Sequence, residues 1–181
     1  MVGEINEFNN EGLSGKQLND LIIGRKVRTW TKISFSNVYY ILERLESLGY
    51  LYWESSPQKD RSVGAPEKIY YLTTRGKSEL KRIALDLLRG KTLTTLELDL
   101  GLSASYVLPE KKVINALREH QAKLQSRLEN LEQGFKFQGG NNLHYQAWGV
   151  INHHKYILQS RLKLLSDLIQ RLNKILNEQL A

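Results

Sequence analysis

At 181 residues, with 41% hydrophobic and 25% charged side chains, the chain is long enough to bury a sizeable core in one or two domains and too apolar for a disordered tail. Its formal charge of +7 favours a polyanionic partner, because clustered Lys and Arg release condensed counterions on meeting phosphates. The lack of cysteine excludes disulfides, thiolate catalysis and Cys-based zinc sites; no run approaches the roughly 18 apolar residues of a membrane span, and the acidic, Asn-rich start does not read as a signal peptide, so the cytoplasm is the expected compartment.

In chain order, residues 1–12 have only Val2, Ile5 and Phe8 as apolar anchors, which predicts a weak helix at most. Ser14 is placed to cap a helix over Lys16 to Ile23, with Leu18, Leu21 and Ile22 inward and Gly24 ending it. The next run, Arg25 to Ile33, carries the cations Arg25, Lys26, Arg28 and Lys32 and no acid. In a helix-turn-helix the first helix and its turn lie across the phosphate backbone, so these charges are candidates for positioning contacts to DNA. The plain alternative is a solvated loop.

From Ser34 to Leu51, Val38, Ile41, Leu42, Leu45 and Leu48 fall at helical spacing, while Ser36, Asn37, Tyr40, Glu43, Arg44 and Ser47 populate the other face. Ser34 or Ser36 caps this helix, Gly49 supplies the left-handed stop, and Tyr50 to Trp53 make a strand-prone run. Helix, glycine stop and immediate strand is the order of a recognition helix followed by a β-wing. Asn37 and Tyr40 lie in the first turn, opposite the apolar stripe, where such helices meet base edges, and an Asn amide suits adenine. The Tyr39 hydroxyl is better placed for a phosphate. Ser34, Ser36 and Arg44 complete the candidate DNA-contacting set on this helix.

Glu54 to Glu67 is punctuated by Ser55, Ser56, Pro57, Gly64 and Pro66 between two aromatic, β-prone runs, which predicts a hairpin. Lys59, Arg61 and Lys68 make it cationic, as expected of a wing touching phosphates or the minor groove; the alternative is a surface loop without contacts. In the second strand, Lys68 to Leu72, Ile69 and Tyr71 face one side, Tyr70 and Leu72 the other. Thr73 or Thr74 then caps a helix over Arg75 to Leu88 striped by Leu80, Ile83, Ala84, Leu87 and Leu88, and Gly90 ends a first domain of residues 1–90.

In the second domain, residues 91–181, Lys91 to Pro109 is a connector whose leucines at 93, 96, 98, 100 and 102 are apolar enough to pack. A helix from Glu110 carries Val113, Ile114, Leu117, Leu124, Leu128 and Leu131 and is expected to end near Gly134; Gly139 to Asn142 marks a loop. The last helix, Leu143 to Leu176, has a heptad seam of Leu158, Leu162, Leu165, Ile169, Leu172 and Leu176, the candidate dimerisation residues. Ile157, Leu164, Leu168 and Ile175 form a second seam beside it. One face can meet the helix that starts at Glu110; the other needs a partner, which predicts a homodimer. Of the four histidines, His153 and His154 are adjacent and project differently, so no i, i+4 metal pair arises. No phosphate loop, nucleophile elbow or carboxylate pair stands out, and neither an enzyme, a metal nor a cofactor is expected.

Residues 36–51 (SNVYYILERLESLGYL) and 66–80 (PEKIYYLTTRGKSEL) together resemble the winged-helix domain of the PadR family of transcriptional regulators. Tyr39 matches the family's tyrosine in the recognition helix, Leu45, Glu46 and Gly49 its leucine-glutamate and glycine, and Tyr71, Leu72, Thr73 and Gly76 the tyrosine-x-leucine-threonine-x-x-glycine pattern after the wing. The resemblance covers about residues 12–90, and the family's longer members carry a long helical C-terminal dimerisation domain. It implies a mainly α fold with a small β-wing, a winged helix-turn-helix domain followed by a long-helix dimerisation domain. It also implies that Trp30 packs beneath the recognition helix, with DNA stacking as the minority role. The family opens with a longer leucine-rich helix than residues 1–12 provide, so either that helix is shortened here or the natural protein starts earlier.

Some members bind flat aromatic effectors through stacking aromatic side chains, which makes Tyr145 and Trp148 candidate effector residues; core or dimer packing is the competing role. The expected function is a dimeric, sequence-specific DNA-binding regulator, a repressor released by a small molecule, acting on a palindromic operator. A protein-interaction module, lacking steep salt dependence, and a non-specific nucleic-acid accessory factor are the alternatives.

Overall fold

The computed structural model describes residues 12–24, 35–56, 67–90 and 95–178. Expectations for the start of the chain, for Trp30, for the cations of residues 25–33, for Ser34 and for the hairpin cations Lys59 and Arg61 lie outside the described residues, as does the side chain of Ser36. The elements are β1 (Leu13–Ser14), α1 (Gly15–Gly24), α2 (Phe35–Ser47), β2 (Leu51–Ser55), β3 (Lys68–Leu72), α3 (Thr74–Leu88), α4 (Thr95–Ala104), a 3-10 turn at Ser105–Val107, α5 (Glu110–Phe137), a second such turn at Gly140–Asn142, and α6 (Tyr145–Glu178). The fold is mainly helical with one small antiparallel sheet, and it divides into two compact units, Met1–Ile83 and Ala84–Ala181.

In the first unit, α1 starts with a reciprocal cap. The Gln17 amide donates to Ser14 Oγ at 3.2 Å, and the Ser14 amide donates to Gln17 Oε1 at 2.8 Å, so two N–H groups that a helix start leaves unpaired are both satisfied. The end of α2 is equally explicit. Gly49 adopts φ 72°, the Tyr50 amide donates to the Leu45 carbonyl at 2.9 Å and the Gly49 amide to the Glu46 carbonyl at 2.8 Å, which is a Schellman closure. The chain leaves that turn directly into β2. β3 is the central strand, with β1 on one side (Leu13↔Tyr70) and β2 on the other (Leu51↔Leu72, Trp53↔Tyr70, Ser55↔Lys68).

Thr73 joins the hairpin to the turn after α2. Its hydroxyl donates to the Gly49 carbonyl at 2.8 Å, its amide donates to the Tyr50 carbonyl at 3.0 Å, and its oxygen caps α3 by accepting from the Gly76 amide at 2.9 Å. Gly76 is required there because a Cβ would collide with the Tyr50 carbonyl oxygen.

The second unit is built on the α5–α6 hairpin. Val113, Leu117, Leu124 and Leu128 of α5 pack with Leu158 and Leu165 of α6 in one buried cluster that also takes in Ala84 and Leu88 from the end of α3 and Leu98 from α4. Leu162, Ile169 and Leu172 pack against that cluster, so the predicted heptad seam meets α5 of the same chain. Leu165 is 0% exposed and has no surface left for a partner.

Three boundaries differ from expectation. Thr95–Ala104 is a helix where a connector was expected: Leu98 is buried and Leu102 packs against the same cluster, while Leu96 and Leu100 stay outside. α5 runs through Gly134 to Phe137, since one interior glycine costs a helix only about 1 kcal/mol; Gly139 (φ 108°) and Gly140 (φ 59°) make the turn. α6 spans Tyr145–Glu178, shifted by two residues from the expected range.

Candidate nucleic-acid interface

α2 has three distinguishable sides. Val38 and Leu42 are buried and Leu45 is half-buried, forming the side that faces the core of its unit. Asn37, Tyr40 and Arg44 lie on the exposed side, with Tyr40 61% exposed. Ile41 and Leu48, expected with the apolar stripe, are 43% and 46% exposed and sit at its edge beside Asn37 and Arg44. Tyr39, Glu43 and Glu46 form the third side. The Tyr39 ring lies against Gly15 at the start of α1, so Tyr39 is half packing residue and half surface.

That third side meets the sheet. The Trp53 indole N–H donates to Glu46 Oε1 at 2.9 Å, Lys68 Nζ stands 4.5 Å from the centre of the Trp53 ring, and the same Nζ is 3.9 Å from Glu46 Oε2. Tyr70, opposite Trp53 in the ladder, has its pKa raised above the usual tyrosine value, first by burial and then by the charges of Glu46 and Glu43. On the other face of the hairpin, Tyr52 and Tyr71 stack with ring centres 5.2 Å apart. Arg75, on the first turn of α3, lies over the Tyr50 ring at 4.9 Å.

The structure therefore brings Asn37, Tyr40 and Arg44 onto one exposed side of α2 and places Lys68 beside Glu46 and Trp53. In the sequence, Glu46 stood out only as part of the leucine-glutamate match and Trp53 only as part of a strand-prone run, with no contact expected between them. Their signal was an acid at the border of an apolar stripe, followed across a glycine turn by a tryptophan.

In the helical unit, the side of α6 turned away from α5 carries Val150, Ile157, Leu164 and Ile175, all at least 38% exposed. Tyr145 and Trp148 are exposed on the first turns of α6, where the Asn152 amide donates to the Trp148 carbonyl at 2.9 Å. Lys155 bridges α6 to Glu132 of α5 at 2.8 Å and holds that carboxyl below its usual pKa.

His120 is the one buried histidine among the described residues. Its Nδ1 lies 3.1 Å from the Leu88 carbonyl, which only accepts, so Nδ1 carries the hydrogen; Nε2 is buried with no partner among the described residues. The ring occupies space that a side chain at Gly90 (φ 64°) would fill. Among the described residues no group of three or more His, Asp or Glu is placed to hold a metal ion, and no helix is long and apolar enough to cross a membrane.

No family model matches the chain, and no curated protein matches it. Among solved structures it is similar over nearly its whole length to Bacillus subtilis PadR in complex with operator DNA, at 17% sequence identity and a TM-score of 0.40, covering 94% of this chain and 96% of that one. The same protein with p-coumaric acid gives 15% identity and a TM-score of 0.41 over 95% and 97% of the two chains. The chain is also similar to smu.1604c from Streptococcus mutans UA159, at 19% identity and a TM-score of 0.34 over 93% and 95%.

Proposed function

We propose that the chain is a homodimeric, sequence-specific DNA-binding transcriptional regulator of the cytoplasm, a repressor released by a small aromatic effector. Residues 1–90 bind DNA and residues 91–181 dimerise. The observation that carries this reading is α2, whose buried side holds it to its unit while Asn37, Tyr40 and Arg44 stand exposed on the opposite side next to an antiparallel hairpin. A helix exposed along one side fits the width of the major groove, and a flanking hairpin reaches the neighbouring backbone. The formal charge of +7 and the four cations between Arg25 and Lys32 support a polyanionic partner.

Dimerisation is assigned to the side of α6 that α5 leaves open, which retains Ile157, Leu164 and Ile175 of the second seam and adds Val150, while Leu168 packs against the core of its own chain. Val150, Ile157 and Leu164 recur every seven residues and Ile175 lies about three turns beyond Leu164, so a second copy can cover this side. Tyr145 and Trp148 offer two exposed rings one turn apart for a flat effector, which p-coumaric acid probes through quenching of Trp148 fluorescence and release of bound DNA.

Selection of bound fragments from a genomic pool, followed by salt titration of the best, tests the reading. The expected outcome is a palindromic consensus with half-sites about one helical turn apart and an affinity that falls steeply with salt. Enrichment without a consensus would instead make the chain a non-specific accessory factor. No retained DNA and no salt dependence would leave a protein-interaction module.

A further inference from the structure

Resting on the DNA-binding reading above, the geometry points to Lys68 as a positioning residue: with Glu46 it clamps the Trp53 indole and fixes the wing against α2, so that its charge is satisfied within the protein and not by a phosphate. Three elements meet in this contact. Glu46 from α2 uses Oε1 on the indole N–H (2.9 Å) and faces the Lys68 ammonium with Oε2 (3.9 Å). That ammonium sits over the indole face at 4.5 Å, where the ring's negative quadrupole attracts it.

The place of the contact gives it a mechanical role. The ladder fixes β2 to β3, and Thr73 ties the base of the hairpin to the Gly49–Tyr50 turn. That base and the β1 ladder on β3 (Leu13↔Tyr70, Ser14↔Ile69) hold β3, and leave the β2 side of the hairpin to be held against α2. The clamp adds an attachment to α2 further along the strands, at the Ser55↔Lys68 register, and so helps to set how β2 and β3 lie against α2.

Positioning and phosphate contact make opposite predictions, read by salt titration of operator binding with the full chain. If Lys68 touched a phosphate, Lys68→Met would lower the slope of log affinity against log salt by about 0.9. As a positioning residue, Lys68→Met lowers affinity by roughly threefold to tenfold with the slope unchanged. Glu46→Ala is the sharper test, because removing an acid beside DNA tightens binding if only net charge matters, whereas loss of the clamp weakens it. Trp53→Phe, which keeps the ring under the lysine and removes the indole N–H, reproduces part of the loss should Glu46→Ala fail to fold. In the NMR spectrum of the free protein the Trp53 indole N–H signal shifts in Glu46→Ala and stays near its place in Glu46→Gln. A slope reduced by about 0.9 in Lys68→Met together with unchanged or tighter binding by Glu46→Ala overturns the clamp while leaving DNA binding intact. Wild-type protein that binds no operator overturns both, and is recognised before any variant is made.

Discussion

Leu164 and Leu165 are neighbours on α6 with opposite surroundings, and truncating each to alanine separates the core of the helical unit from the face assigned to a second copy. Leu165 is 0% exposed among Leu117, Leu124, Leu158 and their neighbours. Leu165→Ala removes buried methyl groups and leaves a cavity, at a cost of about 3 kcal/mol within the roughly 2 to 5 kcal/mol seen for such changes. That is a large share of the roughly 5 to 15 kcal/mol by which a domain is stable. Leu164 is 45% exposed in the single chain. Fully burying a leucine contributes about 1.5 to 3 kcal/mol, so covering the remaining half is worth about 1 kcal/mol per protomer. A two-fold interface contains the contact twice, so Leu164→Ala weakens the dimer by about 2 kcal/mol, or roughly thirtyfold in Kd. Urea denaturation, at protomer concentrations well above the dimer Kd, and sedimentation over a dilution series read the two quantities separately. Leu165→Ala is expected to lower the urea midpoint, and Leu164→Ala to shift the dissociation curve. Dissociation of the dimer by Leu165→Ala with an unchanged midpoint, or wild-type dilution behaviour of Leu164→Ala, would refute this division of core and interface.

Further outcomes follow from single residues. Burial holds the His120 pKa below its ordinary value, with Arg161 and Lys123 adding to the depression and the Leu88 carbonyl and Glu97 opposing it. The unfolded chain therefore binds a proton that the folded chain refuses, so stability is lost as pH falls below about 6.5, by at most about 1.4 kcal/mol per pH unit. His120→Gln, which keeps a donor for Leu88 without titrating, should flatten urea midpoints between pH 6.5 and 5; an undiminished slope would assign it elsewhere. Gly76→Ala drives a methyl group into the Tyr50 carbonyl and should cost about 1 to 3 kcal/mol, measured as a fall in Tm, whereas a neutral result would show that the turn yields. Asn37→Ala should cost about 1 to 3 kcal/mol of discrimination at one base position per half-site in competition against singly altered operators. An equal loss on every sequence would make Asn37 a backbone contact.

Features set by a few adjacent residues were readable before any coordinates. Ser14 three residues before Gln17, Gly49 after the α2 stripe, and Thr73 three residues before Gly76 each satisfy local backbone groups, so their spacing carries the geometry. Features that depend on what lies across the fold were not. Ile41 and Leu48 matched the apolar spacing, yet the core reaches only as far as Val38, Leu42 and Leu45. Thr95–Ala104 read as a connector, and its leucines did not reveal a helix because Leu96 and Leu100 stay outside while Leu98 is buried. The α6 seams were both visible as seams, but which of them α5 would take depended on the rotation of one helix against another. Lys68 read as a candidate phosphate contact of the wing because its protein partners come from α2 and β2, across the fold. His120 stood at a position of the α5 stripe, and that placement of a polar ring was the one clue to its burial.

The central place of β3 in its sheet governs how the first unit can be assembled in time. Neither β1 nor β2 has a ladder partner until Lys68–Leu72 has been synthesised, and pairing Leu13 with Tyr70 closes nearly the whole unit into one loop, an entropic cost met before the contact is gained. α5 and α6 are neighbours in sequence joined by a short turn, an arrangement that folds fast. The unit that precedes the helical hairpin along the chain is thus the one whose sheet must wait for its last strand, while that hairpin can close as soon as it emerges.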